Sequence, residues 1–151
     1  MLELAQTSDW AAVNALAHQV HDLHVSWRPD IYQKADYLYS VDRFASAIQN
    51  RELYVAKLEG QVVGFTLLPI RIVEQSGLVS RKIMLINEFC VDEFCRNQGI
   101  GKAMMADVHA LARAFRCTDI QIDVYPQNDE AVSFCQKCGL TIQNIVMRAK
   151  I

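Results

Sequence analysis

The sequence predicts an α/β fold: one mixed sheet, mostly antiparallel, with a single parallel β-α-β step at its centre. Strand-like apolar runs dominate Leu53 to Val91, and Arg96-Asn97-Gln98-Gly99-Ile100-Gly101-Lys102 then joins a strand-like run to a helical one, with another strand-like run beyond it. Size agrees, since 151 residues at 52% hydrophobic composition suit one compact domain, 1–151, with a sizeable core.

Leu2 to Ala5 fits a short strand, and Thr7-Ser8-Asp9 supplies capping residues for a helix with Trp10, Val13, Ala17 and Val20 on one face. Val25 to Val41 reads as irregular and holds Trp27, Arg28, Tyr32, Tyr37 and Tyr39, and this aromatic density favours a functional loop over a disordered one. A short helix near Arg43 to Asn50 precedes Leu53 to Leu58, the turn Glu59-Gly60-Gln61 and Val62 to Val73, which together read as a hairpin. The chain turns again at Gln75 to Leu78 and enters a buried strand, Ile83 to Val91.

Ile100, Met104, Val108, Leu111 and Phe115 recur at steps of three and four, the mark of an amphipathic helix with Lys102, His109, Arg113 and Arg116 opposite. Asp119 to Tyr125 alternates with period two and reads as a strand. A helix beginning near Asn128 and a last strand close the order. The strand from Ile83, the helix and the strand from Asp119 form the parallel unit, which crosses over right-handed.

A formal net charge of −2 argues against a basic nucleic-acid face. No apolar stretch reaches membrane-helix length, and Met1-Leu-Glu-Leu lacks the basic start of a signal peptide, so the expectation is a cytoplasmic protein with no membrane partner. Five cysteines is an odd number, for which reduced thiols are the default; Cys135-x-x-Cys138 falls late in a helix, without a second pair to complete a zinc site. His18, His21 and His24 read as a solvated helix end or a pocket rim, since no acidic cluster stands at ligand spacing; no metal is expected. A homodimer is among the expected partners.

The glycine segment feeds a helix N-terminus, where unpaired N–H groups and the positive dipole end suit a phosphate-bearing ligand. A nucleotide P-loop is excluded because Ala103, not Ser or Thr, follows Lys102, and a dinucleotide fingerprint fails because Met104 stands where its third glycine belongs. Arg96-x-x-Gly99-x-Gly101 resembles instead the pyrophosphate loop of the GNAT superfamily of acyl-CoA-dependent N-acetyltransferases. Glu88 sits three residues before Val91, as in the strand that precedes this loop in the family. Asn128-x-x-Ala131-x-x-Phe134-Cys135-x-Lys137-x-Gly139-Leu140 resembles the closing signature, with Cys135 in place of the usual tyrosine.

The resemblance runs from about Leu53 to Leu140 and implies a GNAT-like sheet whose parallel strands splay to hold CoA, with acetyl-CoA as co-substrate and an amine of a small molecule or peptide as acceptor. It places the pantetheine arm on the backbone of Phe89, Cys90 and Val91. It places the phosphates at Arg96, Asn97, Gln98, Gly99, Ile100, Gly101 and Lys102. Asn128 is a pantetheine contact, a helix cap, or both, and Lys137 reads as solvated helix surface.

The chemistry requires a proton to leave the acceptor, because an amine of pKa about 10.4 is neutral about once in a thousand molecules near pH 7.4, a handicap of roughly 4 kcal/mol. Glu88, set in an apolar strand, is the candidate base, directly or through a water; the alternative is a carboxylate in a solvent channel or paired with an arginine. The family resemblance implies that a backbone N–H of Cys90 or Val91 polarises the thioester carbonyl. Tyr125 is the candidate donor to the leaving thiolate, or a plain strand-end aromatic. Trp27 and Tyr32 are the candidate acceptor-pocket residues. Two other readings remain, a catalytically silent acyl-CoA-binding regulatory module and an interaction domain that has lost CoA.

Overall fold

A computed structural model describes residues 1–151. In chain order the elements are β1 (Leu2–Leu4), α1 (Trp10–Trp27), α2 (Val41–Gln49), β2 (Leu53–Leu58), β3 (Gln61–Leu67), β4 (Ile70–Val73), β5 (Arg81–Ile86), β6 (Glu88–Val91), α3 (Ile100–Ala114), β7 (Asp119–Ile122) and α4 (Asp129–Lys137), with short 3-10 turns at Thr7–Asp9 and Glu93–Cys95. The helical period extends α1 to Trp27, so the irregular connection shortens to residues 28–40.

Two runs expected as single strands are each divided. Val62 to Val73 breaks at Leu68-Pro69, where proline has no N–H to give to a ladder. Ile83 to Val91 breaks at Asn87, whose N–H takes the Leu67 carbonyl at 2.9 Å although Leu67 faces Glu88 in the register, the signature of a bulge. The halves then serve two sheets, of order β1-β2-β3-β6 and β4-β5-β7. Every pairing is antiparallel except β5 with β7, which run parallel in the register Ile83↔Asp119 to Ile86↔Ile122. The expected splay is therefore present: β5 turns at Asn87 and leaves β7, which ends at Ile122 rather than Tyr125.

The strand expected after α4 does not form. Residues 141–151 are exposed throughout and lie in no helix or strand.

Helices α1 and α2 cover one face of the first sheet, where Val13, Leu16, Ala17 and Phe44 pack with Leu53, Val55, Phe65 and Leu67. Helix α3 covers the other side, with Met105, Val108 and Ala112 against Tyr54, Met84 and Ile86. It approaches so closely that a side chain at Gly64 would lie 2.7 Å from Met104 Sδ and 2.8 Å from the Cys90 carbonyl. Glycine at this β3 position thus sets how near the start of α3 lies to β6. No helix is long and apolar enough to cross a membrane.

Candidate active site

Beyond Asn87, β6 is hydrogen-bonded to β3 alone, and its other edge faces the gap left by β7. Bonded pairs alternate along an antiparallel ladder, and Asp92 N–H donates to Val63 at 2.8 Å while Cys90 lies opposite Phe65. Cys90 therefore directs its backbone groups to β3, and Phe89 and Val91 direct theirs to the gap. The side chain of Cys90 is buried as well, its thiol donating to the Leu16 carbonyl at 3.4 Å and raised by desolvation to about 12. Of the three backbone contacts read from the sequence, Phe89 and Val91 are presented to the gap and Cys90 is not.

The loop from Arg96 to Gly99 is exposed and runs into α3. Asn97 and Gly99 both take positive φ, 62° and 80°, and no atom lies within 4 Å of where a Gly99 side chain would begin. Glycine serves the backbone conformation here, since a residue with a Cβ is strained in this region. Gly99 is the N-cap and has no side chain to fill that role, which leaves the first-turn N–H groups open to a ligand. A Cβ on Gly101 would stand 3.4 Å from Phe134 Cε2 and 3.6 Å from Val91 Cγ2. The start of α3, the end of β6 and α4 thus meet at one point, and Phe134 continues to Phe89 at 5.7 Å between ring centroids. Arg96 folds back on this junction, its Nε donating to the Val91 carbonyl at 3.3 Å. The Asn128 side chain caps α4 by accepting from Ala131 N–H at 3.1 Å, and its amide NH₂ stays available. Cys135 is buried at 7% exposure and its thiol is raised by desolvation, which makes it a core residue.

At the other end of β6, Glu88 is about a third exposed (31%), yet burial outweighs the groups that favour its charge and holds its carboxyl above the ordinary range. The opposing groups are Tyr39, Arg43 and His21. Arg43 Nη2 stands 3.6 Å from Glu88 Oε1 and its guanidinium lies 4.4 Å over the Tyr39 ring. The arginine alternative is thus realised together with the raised carboxyl. The Tyr39 hydroxyl is buried, makes no hydrogen bond, and sits where it biases Glu88 electrostatically. Sequence reading singled out neither Tyr39 nor Arg43 as partners of Glu88; the only available signal was their place in the aromatic connection and the helix after it.

The connection 28–40 is fastened to α1. His18 Nε2 donates to the Asp36 carbonyl at 3.0 Å and His21 Nε2 to the Gln33 carbonyl at 2.7 Å. His24 stacks on Tyr32 at 4.9 Å, and burial followed by His21 lowers its pKa, so the neutral ring is favoured. Tyr32 in turn gives its phenol proton to Tyr125 at 3.1 Å and is pushed up to about 12, first by desolvation and then by that bond. Trp27 borders the cluster through His24 at 5.9 Å. Trp27 and Tyr32, joined through His24, thus form one wall with Tyr125, which lies 93 residues beyond Tyr32 in the sequence. Because Tyr125 accepts from Tyr32, its own hydroxyl hydrogen is free to point elsewhere.

An open strand edge leading to an unfilled helix N-terminus, inside a split mixed sheet, is a geometry that suits an extended ligand with a phosphate group at one end. The sequence matches the Acetyltransferase (GNAT) family over residues 17–140, and the chain belongs to that family. Membership makes it an acyltransferase with acetyl-CoA as co-substrate, and the open Phe89 and Val91 edge with the cradle at Gly101 fits that ligand.

Among solved structures, a mutant of the BH1408 protein from Bacillus halodurans is similar over 100% of this chain and 99% of its own, at 26% identity and TM-score 0.94. A Trypanosoma brucei acetyltransferase covers the same shares at 20% identity and TM-score 0.70. The aminoglycoside N-acetyltransferase AAC(6')-Iy in complex with CoA does so at 16% and 0.72. These last two bear on the fold. No curated protein sequence matches.

Proposed function

We propose that the chain is an N-acetyltransferase that moves the acetyl group of acetyl-CoA to a primary amine of a small molecule or peptide by direct attack, and that it works in the cytoplasm. The observation that carries this reading is the placing of Glu88, with its raised carboxyl, at the head of the same short strand whose far end meets the Gly101 cradle.

Each residue has a task. The N–H groups of the first turn of α3, with Arg96, Asn97, Gln98 and Lys102 around them, hold the phosphates. Phe89 and Val91 pair with the pantetheine arm, and the Val91 N–H polarises the thioester carbonyl. Asn128 donates to the arm while capping α4. Glu88 removes the amine proton, directly or through a water, as the nitrogen–carbon bond forms and the carbon–sulfur bond breaks. Tyr125 gives its proton to the departing thiolate, helped by the hydrogen bond it receives from Tyr32. Trp27 and Tyr32 face the acceptor. The aminoglycoside acceptor named for AAC(6')-Iy supports an amine as nucleophile.

Incubation with acetyl-CoA and a panel of amines, followed by release of free thiol and by the mass of the acetylated product, tests the reading. Amine-dependent thiol release supports it. CoA binding by calorimetry with no turnover on any amine supports the catalytically silent regulatory module instead.

A further inference from the structure

The break at Leu68-Pro69 opens the sheet in a second place. Between β2, the β3–β4 junction, β5 and the C-terminal end of α3 lies a pocket of about 120 Å³, on the face of the sheet that α3 covers. The Glu88 carboxyl turns instead to Arg43 of α2, on the opposite face. A helix rises about 1.5 Å per residue, so the 15 residues of α3 put this pocket roughly 20 Å from the Gly101 turn.

Leu68, Ile70, Met84 and Phe115 give the pocket an apolar floor. Against them stands a polar atom with no partner. Tyr54 lines the pocket at 5% exposure, and its hydroxyl is buried and makes no hydrogen bond. A buried donor in this state costs free energy that an acceptor carried by a ligand would recover. Arg51 lines the same pocket, forms no ion pair, and is the charged group that acts on the Tyr54 hydroxyl. Its φ of 57° sets an arginine where a helix ordinarily ends on glycine or asparagine, so the guanidinium stands at the pocket at the expense of the backbone preference. Asn50 and Glu52 complete the polar rim, and the Glu52 carboxylate opposes a second negative charge on whatever enters.

We propose that this pocket is a second binding site, for a small apolar monocarboxylate whose hydrocarbon part rests on Leu68, Ile70, Met84 and Phe115 and whose carboxylate accepts hydrogen bonds from Tyr54 Oη and the Arg51 guanidinium. Size limits the ligand to about one six-membered ring, since an apolar cavity of about 150 Å³ holds benzene. The carboxylate lies at the rim, where both donors reach it. The site does not depend on the catalytic reading, because it occupies the other end of α3 and the other face from Glu88.

Benzoate is the probe, titrated into the full chain with and without saturating CoA, and followed by calorimetry and by the methyl resonance of Met84. Benzoate is expected to move that resonance with the same Kd in both states. Benzamide has the same shape and no charge, and should bind at least about tenfold more weakly. Tyr54→Phe and Arg51→Asn should each weaken benzoate by about tenfold or more, the loss that follows removal of a hydrogen bond to a charged group. Asparagine tolerates the positive φ, and Tyr54→Phe deletes an unpartnered hydroxyl, so both variants should melt at or above the wild-type temperature. A Met84 resonance that benzoate leaves in place overturns the proposal, as does wild-type affinity in either variant. Binding that CoA abolishes also overturns it, since that would put benzoate in the gap beside β6. Marked destabilisation by Tyr54→Phe does so too, because it would mean that the hydroxyl already has a partner in its own chain.

Discussion

Gly101→Asp separates ligand binding from fold stability, because the two effects have opposite signs. The new Cβ would meet Phe134 at 3.4 Å and Val91 at 3.6 Å, ordinary contacts that need no rearrangement. A carboxylate in the first turn of a helix stabilises it by about 0.3–1 kcal/mol, so the melting temperature should hold or rise by up to about 4 °C in a chain of this size. For the pyrophosphate the same charge is repulsive. At roughly 5 Å each pair of unit charges opposes by about 0.8 kcal/mol in water and about 3 kcal/mol at an effective dielectric near 20. Two phosphate charges then lose on the order of 2–6 kcal/mol, about 30-fold to 10⁴-fold in Kd. Calorimetric titration with CoA, alongside thermal unfolding, reads both quantities. An unchanged CoA affinity in a folded variant would refute the assignment of the phosphates to this turn.

Glu88→Gln should lower kcat by about 10²–10⁴-fold with little change in CoA affinity. Because the folded-state carboxyl lies above its ordinary value, wild-type activity falls as pH drops through that raised value; the variant should lack this acidic limb, and an unaltered pH–rate profile would remove Glu88 as base. The same sign governs stability: ionising Glu88 costs folding energy as pH rises through its folded-state value, so Glu88→Gln should gain stability relative to wild type at neutral pH and not at low pH, as thermal melts across pH would show. Cys135→Ala should retain most activity, because its thiol is buried in the core, while Tyr125→Phe should cost more in steady-state kcat; the reverse order would show that the cysteine has taken over proton donation. Trp27→Ala and Tyr32→Ala should raise KM for the identified amine and leave the Kd for CoA alone, and wild-type kinetics in both would make that wall structural.

The parts of the molecule set by local chemistry were legible in the sequence. Helical period gave α3, the glycines gave the loop before it, and an apolar run closed by the turn at Glu59-Gly60-Gln61 gave β2 to its ends. The breaks at Pro69 and Asn87 were not, since an apolar run reads the same whether one sheet or two receive it; only the change of pairing partner divides it. Proline at position 69 was the available clue. The contacts of Glu88 with Arg43 and Tyr39 escaped for a related reason: they depend on how α2 and the connection 28–40 settle over β6. Cys90 illustrates the same limit within one strand, because which of three neighbouring backbones faces the ligand depends on a register fixed by β3.

The open edge of β6 has a consequence for handling this protein. Unpaired donors and acceptors along a strand are a template on which any extended chain can lie, which is how many proteins begin to aggregate. In the function proposed above, pantetheine seated there acts as a removable edge strand. Ligand at a hundredfold excess over its Kd adds about 2.7 kcal/mol of stability and hides the template as well. Preparations stripped of CoA are therefore expected to lose solubility first, and adding CoA back should extend their shelf life in proportion to the occupancy of this one edge.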